Sequence, residues 1–391
     1  MHRPLLQMFL FFAILLLIIG GSHYYLWVRL VRATELPRAW TILFSVLIPC
    51  LALLMPAGLL LGRLTDAPWA RLVAMTSYIW MGTAFLLLLG VAAGDLLHRG
   101  ALWSSAATDP ERRLLLARMF GGTAAVAALA SGAVALRSGL RAPALFRQEI
   151  HLRRLPKGLD GLTIVQISDL HVGPTIRRQD VAALVQRCND LKPDLIAITG
   201  DLVDGDVDHL SSQVAPLADL RAKFGVYFVT GNHEYYSGVD QWLTELRRLG
   251  IRTLRNERVR IGQGENSFDL AGVDDWTAHQ FGGGHGANLP QAVAGRQAGD
   301  CLVLLAHQPK QVTEAAQLGV DLQLSGHTHG GQIWPFTFLV RLAQPYIAGL
   351  DQLGPTTIYV SRGTGYWGPP MRLAAPSELT LLTLRHTESL T

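Results

Sequence analysis

The sequence predicts two parts: an N-terminal region of four transmembrane helices, then an α/β domain that faces water. Three observations predict this. Four long apolar segments precede residue 140, the charge balance changes near residue 150, and from about Leu145 short apolar runs alternate with Gly, Pro, Asn and Asp. Only 16% of the 391 residues are charged, below the roughly one quarter usual for soluble proteins, and mean hydropathy is positive at +0.25. Part of this chain should meet lipid.

The apolar segments run from Leu5 to Gly21, Trp40 to Leu61, Leu72 to Gly94 and Leu114 to Leu136. Each approaches or exceeds the ~18 to 20 residues that a helix needs to cross the hydrocarbon core. Tyr24, Tyr25, Trp27, Trp40, Trp69 and Trp103 fall near the segment ends, where amphipathic rings prefer the interface. His2 and Arg3 precede the first segment as they would in a secretory leader, but no A-x-A-like cleavage site precedes Tyr24, so it is read as a span. The fourth helix is expected to start at Thr108-Asp109-Pro110-Glu111, a capping residue followed by Pro at the first helical position. Arg118 within it either snorkels to the surface or faces other helices.

Residues 1–150 hold 13 Arg, no Lys and 6 acids; the remainder holds 21 Lys plus Arg and 24 acids. The basic excess therefore belongs to the membrane part, and nothing suggests an electrostatic grip on nucleic acid. Arg29, Arg32, Arg38, Arg99, Arg112 and Arg113 flank one side of the spans; Arg3, Arg63, Arg71, Arg137, Arg141 and Arg147 flank the other. Arg153, Arg154 and Lys157 extend the second set, which favours a multi-pass protein of the cell membrane with its second domain on the cytoplasmic side. Cys50, Cys188 and Cys301 have no motif spacing, so neither a disulfide framework nor a thiolate metal site is expected.

The divisions expected are 1–140 for the multi-pass region, 141–155 for a linker and 156–388 for the second domain. In that domain, helix-like stretches at Asp180 to Leu191 and Gln241 to Leu249 alternate with buried runs, the pattern of an α/β domain without internal repeats. A glycine-rich stretch, Phe281 to Gly286, reads as a loop, with His279 and His285 as loop residues.

Five buried runs end in Asp, Asn or His. Thr163 to Ser168 leads into Asp169-Leu170-His171, Leu195 to Thr199 into Gly200-Asp201, and Val226 to Thr230 into Gly231-Asn232-His233-Glu234. Leu302 to Ala306 leads into His307, and Asp321 to Leu324 into Ser325-Gly326-His327-Thr328-His329. Ligands of α/β sheets bind outside the carboxyl ends of strands, and five such ends bearing only O and N donors describe a divalent-metal site. In an extended chain the members of each x-separated pair would leave the same face and reach one volume.

These residues resemble the calcineurin-like metallophosphoesterase superfamily, through the blocks Asp169-Leu170-His171, Gly200-Asp201-Leu202-Val203-Asp204, Gly231-Asn232-His233-Glu234, His307 and Gly326-His327-Thr328-His329. Gly326 to Ile333 and the tail Arg362 to Arg372 look like the bacterial membrane-associated phosphoesterases of the YkuE and YaeI type. The helices ahead of the domain are similar to those of transmembrane proteins with a metallophosphoesterase domain. The resemblance covers about residues 150 to 386. It implies an α/β/β/α fold, a two-sheet β-sandwich flanked by helices. It also implies two divalent cations of the Mn, Fe, Zn or Co group, with Mn favoured. Asp169, His171 and His329 would hold one, Asn232, His307 and His327 the other, and Asp201 would bridge. His233 would donate a proton or stabilise the transition state, oriented by a carboxylate such as Asp204. Many members carry Arg after the last Asp of the second block, where Gly205 stands here.

The activity implied is hydrolysis of a phosphodiester or pyrophosphate bond by attack of a metal-bound hydroxide, near the bilayer surface. The expected partners are membrane lipid and a phosphoester substrate, lipid-linked in one version and a nucleotide-linked lipid-precursor pyrophosphate in another. A membrane scaffold or sensor that keeps the fold without chemistry is the competing reading. Tyr366 and Trp367 fit two roles equally, lining a slot for a base or head group, or pinning a turn. Glu234, Asp274 and Asp275 read as solvated acids or as supports for a ligand rather than as ligands.

Overall fold

The computed structural model describes residues 3–65, 67–103 and 109–387; His2, Thr108 and Glu388, each used in the sequence reading, lie outside them. The chain forms two compact units. The first contains α1 (Arg3–Trp27), α2 (Arg38–Leu64), α3 (Pro68–Trp103) and α4 (Pro110–Gly139); stretches long and apolar enough to cross a membrane are Ala13–Arg32, which runs past the end of α1, Arg38–Gly62, Pro68–Gly100 and Pro110–Gly139. Their apolar side chains are largely exposed, as a lipid-facing surface requires. The α4 helix starts at Pro110, and Asp109 Oδ1 accepts from Glu111 N at 3.0 Å.

Several polar groups of this unit find one another. Asp95 on α3 accepts from Tyr25 Oη at 2.7 Å and pairs with Arg29. His23 Nε2 accepts from Trp80 Nε1 at 2.9 Å, and Arg118 Nε donates to Thr34 O at 2.9 Å. Arg118 therefore faces its neighbours. Unpaired, such groups would be costly in hydrocarbon.

The second unit has two six-stranded sheets. The first runs β1-β12-β2-β3-β4-β5, with β1 Ala144–Leu152, β2 Thr163–Ile167, β3 Leu195–Ile198, β4 Val226–Phe228, β5 Arg252–Thr253 and β12 Glu378–His386. The second runs β10-β11-β9-β8-β7-β6, with β6 Glu257–Gln263, β7 Asn266–Gly272, β8 Leu302–Leu305, β9 Leu322–Ser325, β10 Gly349–Leu353 and β11 Thr356–Val360. In the first sheet β2, β3 and β4 run parallel; in the second β7, β8, β9 and β11 do. The stretch 141–155, read from sequence as a linker, contributes edge strand β1, which pairs with β12 from Ala144↔Glu378 to Leu152↔His386.

The helices of this unit are α5 (Arg178–Asp190), α6 (Val207–Val214), α7 (Asn232–Tyr236), α8 (Val239–Arg248), α9 (Leu289–Val293), α10 (Val312–Gln317) and α11 (Thr337–Ala343). Three apolar layers result. Ile164, Leu195, Leu382, Leu270, Val303 and Leu322 fill the space between the sheets; Val181, Leu210 and Trp242 pack helices on the outer face of the first; Leu289 and Ala315 pack on the second. Strands buried on both faces read as continuous apolar runs, which is why β2, β3, β8 and β9 were legible. The carboxyl ends of both parallel sets open toward one region. The site stands there.

Candidate metal centre

Each expected ligand sits on a short loop leaving a buried strand, so the sheets fix where the loops begin. Among the described residues there are three groups whose own donor atoms lie within 4.8 Å of one another: Asp169, His171 and His329; His171, Asp201 and His233; and Asp201, His307 and His327. The structure thus brings together every candidate His and Asp. His329 stands with one outer group and His327 with another, while Asp201 belongs to two groups. Asp201 Oδ2 is 3.1 Å from His307 Nε2 and 3.9 Å from His171 Nε2.

The route to convergence differs from the extended alternation expected from the sequence. Asp169 (φ 53°), His171 (52°), Asp201 (51°), His327 (71°) and His329 (52°) are all left-handed. Such conformations are uncommon for residues with a side chain and cost of order 1–3 kcal/mol each, so the surrounding fold must enforce them. Gly231 and Gly326 show how. A Cβ on Gly231 would stand 2.2 Å from Asp201 Oδ1, and one on Gly326 1.9 Å from Ser168 Oγ and 2.2 Å from Asp169 Oδ2. Only a bare backbone fits between the loops.

The donors are oriented for a cation. His171 Nε2 and His329 Nε2 face each other at 3.1 Å, as do His327 Nδ1 and His307 Nε2 at 3.2 Å. His307 Nδ1 donates to Thr199 O at 2.7 Å and His171 Nδ1 to Asp204 at 2.9 Å, the backing that fixes a ligating imidazole. Burial, followed by the neighbouring His307, lowers His327 to about 3; burial, followed by Arg372, holds His329 well below its usual value. Both are therefore neutral near pH 7, the form that ligates. Asn232 supplies the decisive detail: its Oδ1 is buried and has no hydrogen-bond partner. A buried amide oxygen without a partner, next in sequence to His233 of one donor group, is the kind of acceptor that a cation would satisfy.

His233 stands beside this group. Its Nδ1 is 2.6 Å from Asp204 Oδ1, and its ring meets Tyr236 edge-on at 5.3 Å and Trp367 at 5.7 Å. Burial opposes its charge, but Asp201 and then Asp204 outweigh this and raise it to about 9. The imidazole is thereby favoured in its protonated form near pH 7. The paired residues Tyr366 and Trp367 divide: Tyr366 is buried in the helix-side core, whereas Trp367 is 56% exposed against His233. Gly205 instead of Arg leaves its carbonyl accepting from Trp242 Nε1 at 2.9 Å, and no cation enters the site from this position.

Two supports were missed or undervalued by sequence reasoning. Glu234, weighed as a solvated acid or a support, is 1% exposed and accepts from Gly231 N (2.6 Å), Leu202 N (2.7 Å) and Asp201 N (3.0 Å), tying two ligand loops together. Its position three residues after Gly231 is the capping-box spacing that could have revealed it. Arg372 is fully buried beneath His329, donating to His329 O at 2.8 Å and Arg362 O at 2.7 Å. Asp274 and Asp275 are also buried, not solvated; Asp274 pairs with Arg255, and Asp275 accepts from Gln308 at 3.0 Å. His279 stays in its loop, and His285 contacts Arg255 there.

Residues 162–331 match the family model described as calcineurin-like phosphoesterase. The chain is 35% identical over 401 residues to a transmembrane protein with metallophosphoesterase domain of Danio rerio, with 96% of this chain and 89% of that protein covered. Against the protein of the same description in Bos taurus it is 43% identical over 263 residues, covering 64% of this chain and 59% of the other. It is 32% identical to the uncharacterized metallophosphoesterase YkuE of Bacillus subtilis, over 71% of this chain and 98% of that one. Similarity of this extent, across membrane helices and sandwich alike, places the protein: it belongs to the calcineurin-like metallophosphoesterase family.

Proposed function

We propose that the protein is a membrane-anchored phosphoesterase that hydrolyses a phosphodiester or pyrophosphate bond near the bilayer surface with two divalent cations. The observation that carries this reading is the pair of donor groups that share Asp201, with the buried, unpartnered Oδ1 of Asn232 one residue from His233 in support. Asp169, His171 and His329 would hold one cation, Asn232, His307 and His327 the other, with Asp201 between. Manganese is the preferred member of the Mn, Fe, Zn and Co group. When bound, the pair supplies Lewis acidity, stabilising charge on phosphoryl oxygens and acidifying water.

The chain's own residues supply the remainder. His233 would donate a proton to the leaving oxygen, Asp204 fixes its ring, and Tyr236 and Trp367, which flank it, would restrict how a substrate approaches. Asp204 also orients His171, so one carboxylate couples proton donor to ligand. Residues 1–140 would form the anchor, 141–155 connect it while supplying edge strand β1 of the domain, and 156–388 carry the chemistry. The side proposed for the domain is the cytoplasmic one; what supports it is the Arg set that continues through Arg153, Arg154 and Lys157 and the free, buried Cys188 and Cys301. The test is hydrolysis of bis-p-nitrophenyl phosphate by the full chain with each cation in turn. No turnover with any of them contradicts the enzyme reading and leaves the scaffold reading.

A further inference from the structure

Directly after the His327–His329 loop the chain exposes an apolar surface that the catalytic reading does not use. The short helix α11 buries none of its residues. Phe338 is 60% exposed, Leu339 56% and Leu342 85%, and Trp334 just ahead of the helix is 52% exposed. A helix of a water-soluble face would carry polar residues at such positions; this one reads Thr-Phe-Leu-Val-Arg-Leu-Ala.

Two further observations say what covers it. From residue 322 to residue 350 there is no carboxylate, while the sequence from 151 onward holds 24 acids against 21 Lys plus Arg. A locally acid-free, aromatic-rich segment with Arg341 beside its apolar positions has the chemistry of a helix lying in the headgroup layer. The same chain carries four helices fit to cross a membrane, so a bilayer is always within reach. We propose that α11 and Trp334 dock into the bilayer surface.

This surface is tied to the centre by direct bonds. Thr328 Oγ1 donates to Ile347 O at 2.5 Å, and Thr337 Oγ1 donates to Gly330 O at 3.4 Å. Gln332 exchanges two hydrogen bonds with the backbone of Trp367, at 2.8 and 2.9 Å, and Trp367 faces His233. Docking at α11 therefore sets the height of His233 above the lipid. The substrate class that follows, a phosphoester at headgroup level on an acyl-bearing molecule, rests on the phosphoesterase reading; the docking itself does not.

The test uses the full chain reconstituted into phosphatidylcholine–phosphatidylglycerol vesicles. Leu342→Cys in a Cys50→Ala background is labelled with an environment-sensitive nitrobenzoxadiazole probe, since Cys188 and Cys301 are buried. Exposed Gln186, replaced by Cys, serves as the control position. Docking predicts blue-shifted emission at 342 that loses about half its intensity or more when lipids carry a doxyl group near the headgroup, with no loss at 186. Emission at 342 that matches 186 overturns the proposal. So does a blue shift without doxyl quenching, which means that protein, such as a second copy, covers the face. In a second arm, Phe338→Asp with Leu342→Asp should lower hydrolysis of a vesicle-borne phospholipid severalfold while hydrolysis of bis-p-nitrophenyl phosphate persists. Loss of neither overturns the coupling to substrate; absence of all hydrolysis in the unaltered chain contradicts the phosphoesterase reading and leaves the quenching result standing.

Discussion

His233 Nδ1 stands 2.6 Å from Asp204 Oδ1, and the same oxygen lies 2.9 Å from His171 Nδ1. One carboxylate therefore serves two imidazoles, His233 as the proposed proton donor and His171 as a proposed ligand.

The two imidazoles should separate on mutation. His233→Ala should lower turnover about 10²- to 10⁴-fold, the usual range for general acid catalysis, while cation content stays at the unaltered level. Kinetics beside elemental analysis of the same preparation checks this. Loss of metal together with turnover would contradict the donor role.

Asp204→Asn should affect both functions. It removes the charge that orients His171 and His233, so cation affinity and turnover should each fall, by about 10- to 100-fold, as for other partners of ligating histidines. Titration with Mn²⁺ followed by activity reads the shift. A variant with unchanged half-saturation and unchanged rate would show that Asp204 is a bystander.

The strand ends were legible because buried parallel strands write continuous apolar runs, and the polar residue after each run is conspicuous. What alternation could not reveal is how Asp169 and His171, or His327 and His329, converge. The sequence pattern suggests extended backbone, whereas all four residues are left-handed, a conformation imposed by neighbouring loops rather than by local preference. Glu234 illustrates the opposite limit: an acid beside an expected ligand reads as solvated or as a support until the fold places three backbone N–H groups around it. Strand β1 was missed as a strand because its alternation of exposed and partly buried residues is that of an edge, with polar Arg147, Gln148 and Glu149 among its residues.

Glu234 carries a stability prediction. Glu234→Ala leaves the N–H groups of Asp201, Leu202 and Gly231 without their acceptor, at about 1–3 kcal/mol for each buried group left unsatisfied. The melting temperature of the detergent-solubilised chain should fall by several degrees, and cation binding should weaken with it. An unchanged melting curve would remove Glu234 from the support of the site.

Gly326→Ala tests the close approach of loops. Its Cβ would stand 1.9 Å from Ser168 Oγ and 2.2 Å from Asp169 Oδ2, so the His327–His329 loop must shift. Expected is loss of at least one cation per chain with the far-ultraviolet circular dichroism spectrum retained, because the clash lies in the loops and the strands keep their cores. Full cation content in this variant would contradict the packing described.

The most direct measurement is cation content and hydrolysis of bis-p-nitrophenyl phosphate for the full chain and for Asp201→Asn, side by side. The account predicts two divalent cations and turnover in the unaltered protein, and fewer cations with turnover reduced to a small residue in the variant, because Asp201 belongs to two donor groups. Equal turnover in both proteins, or turnover in the unaltered chain that survives complete removal of cations, would contradict it.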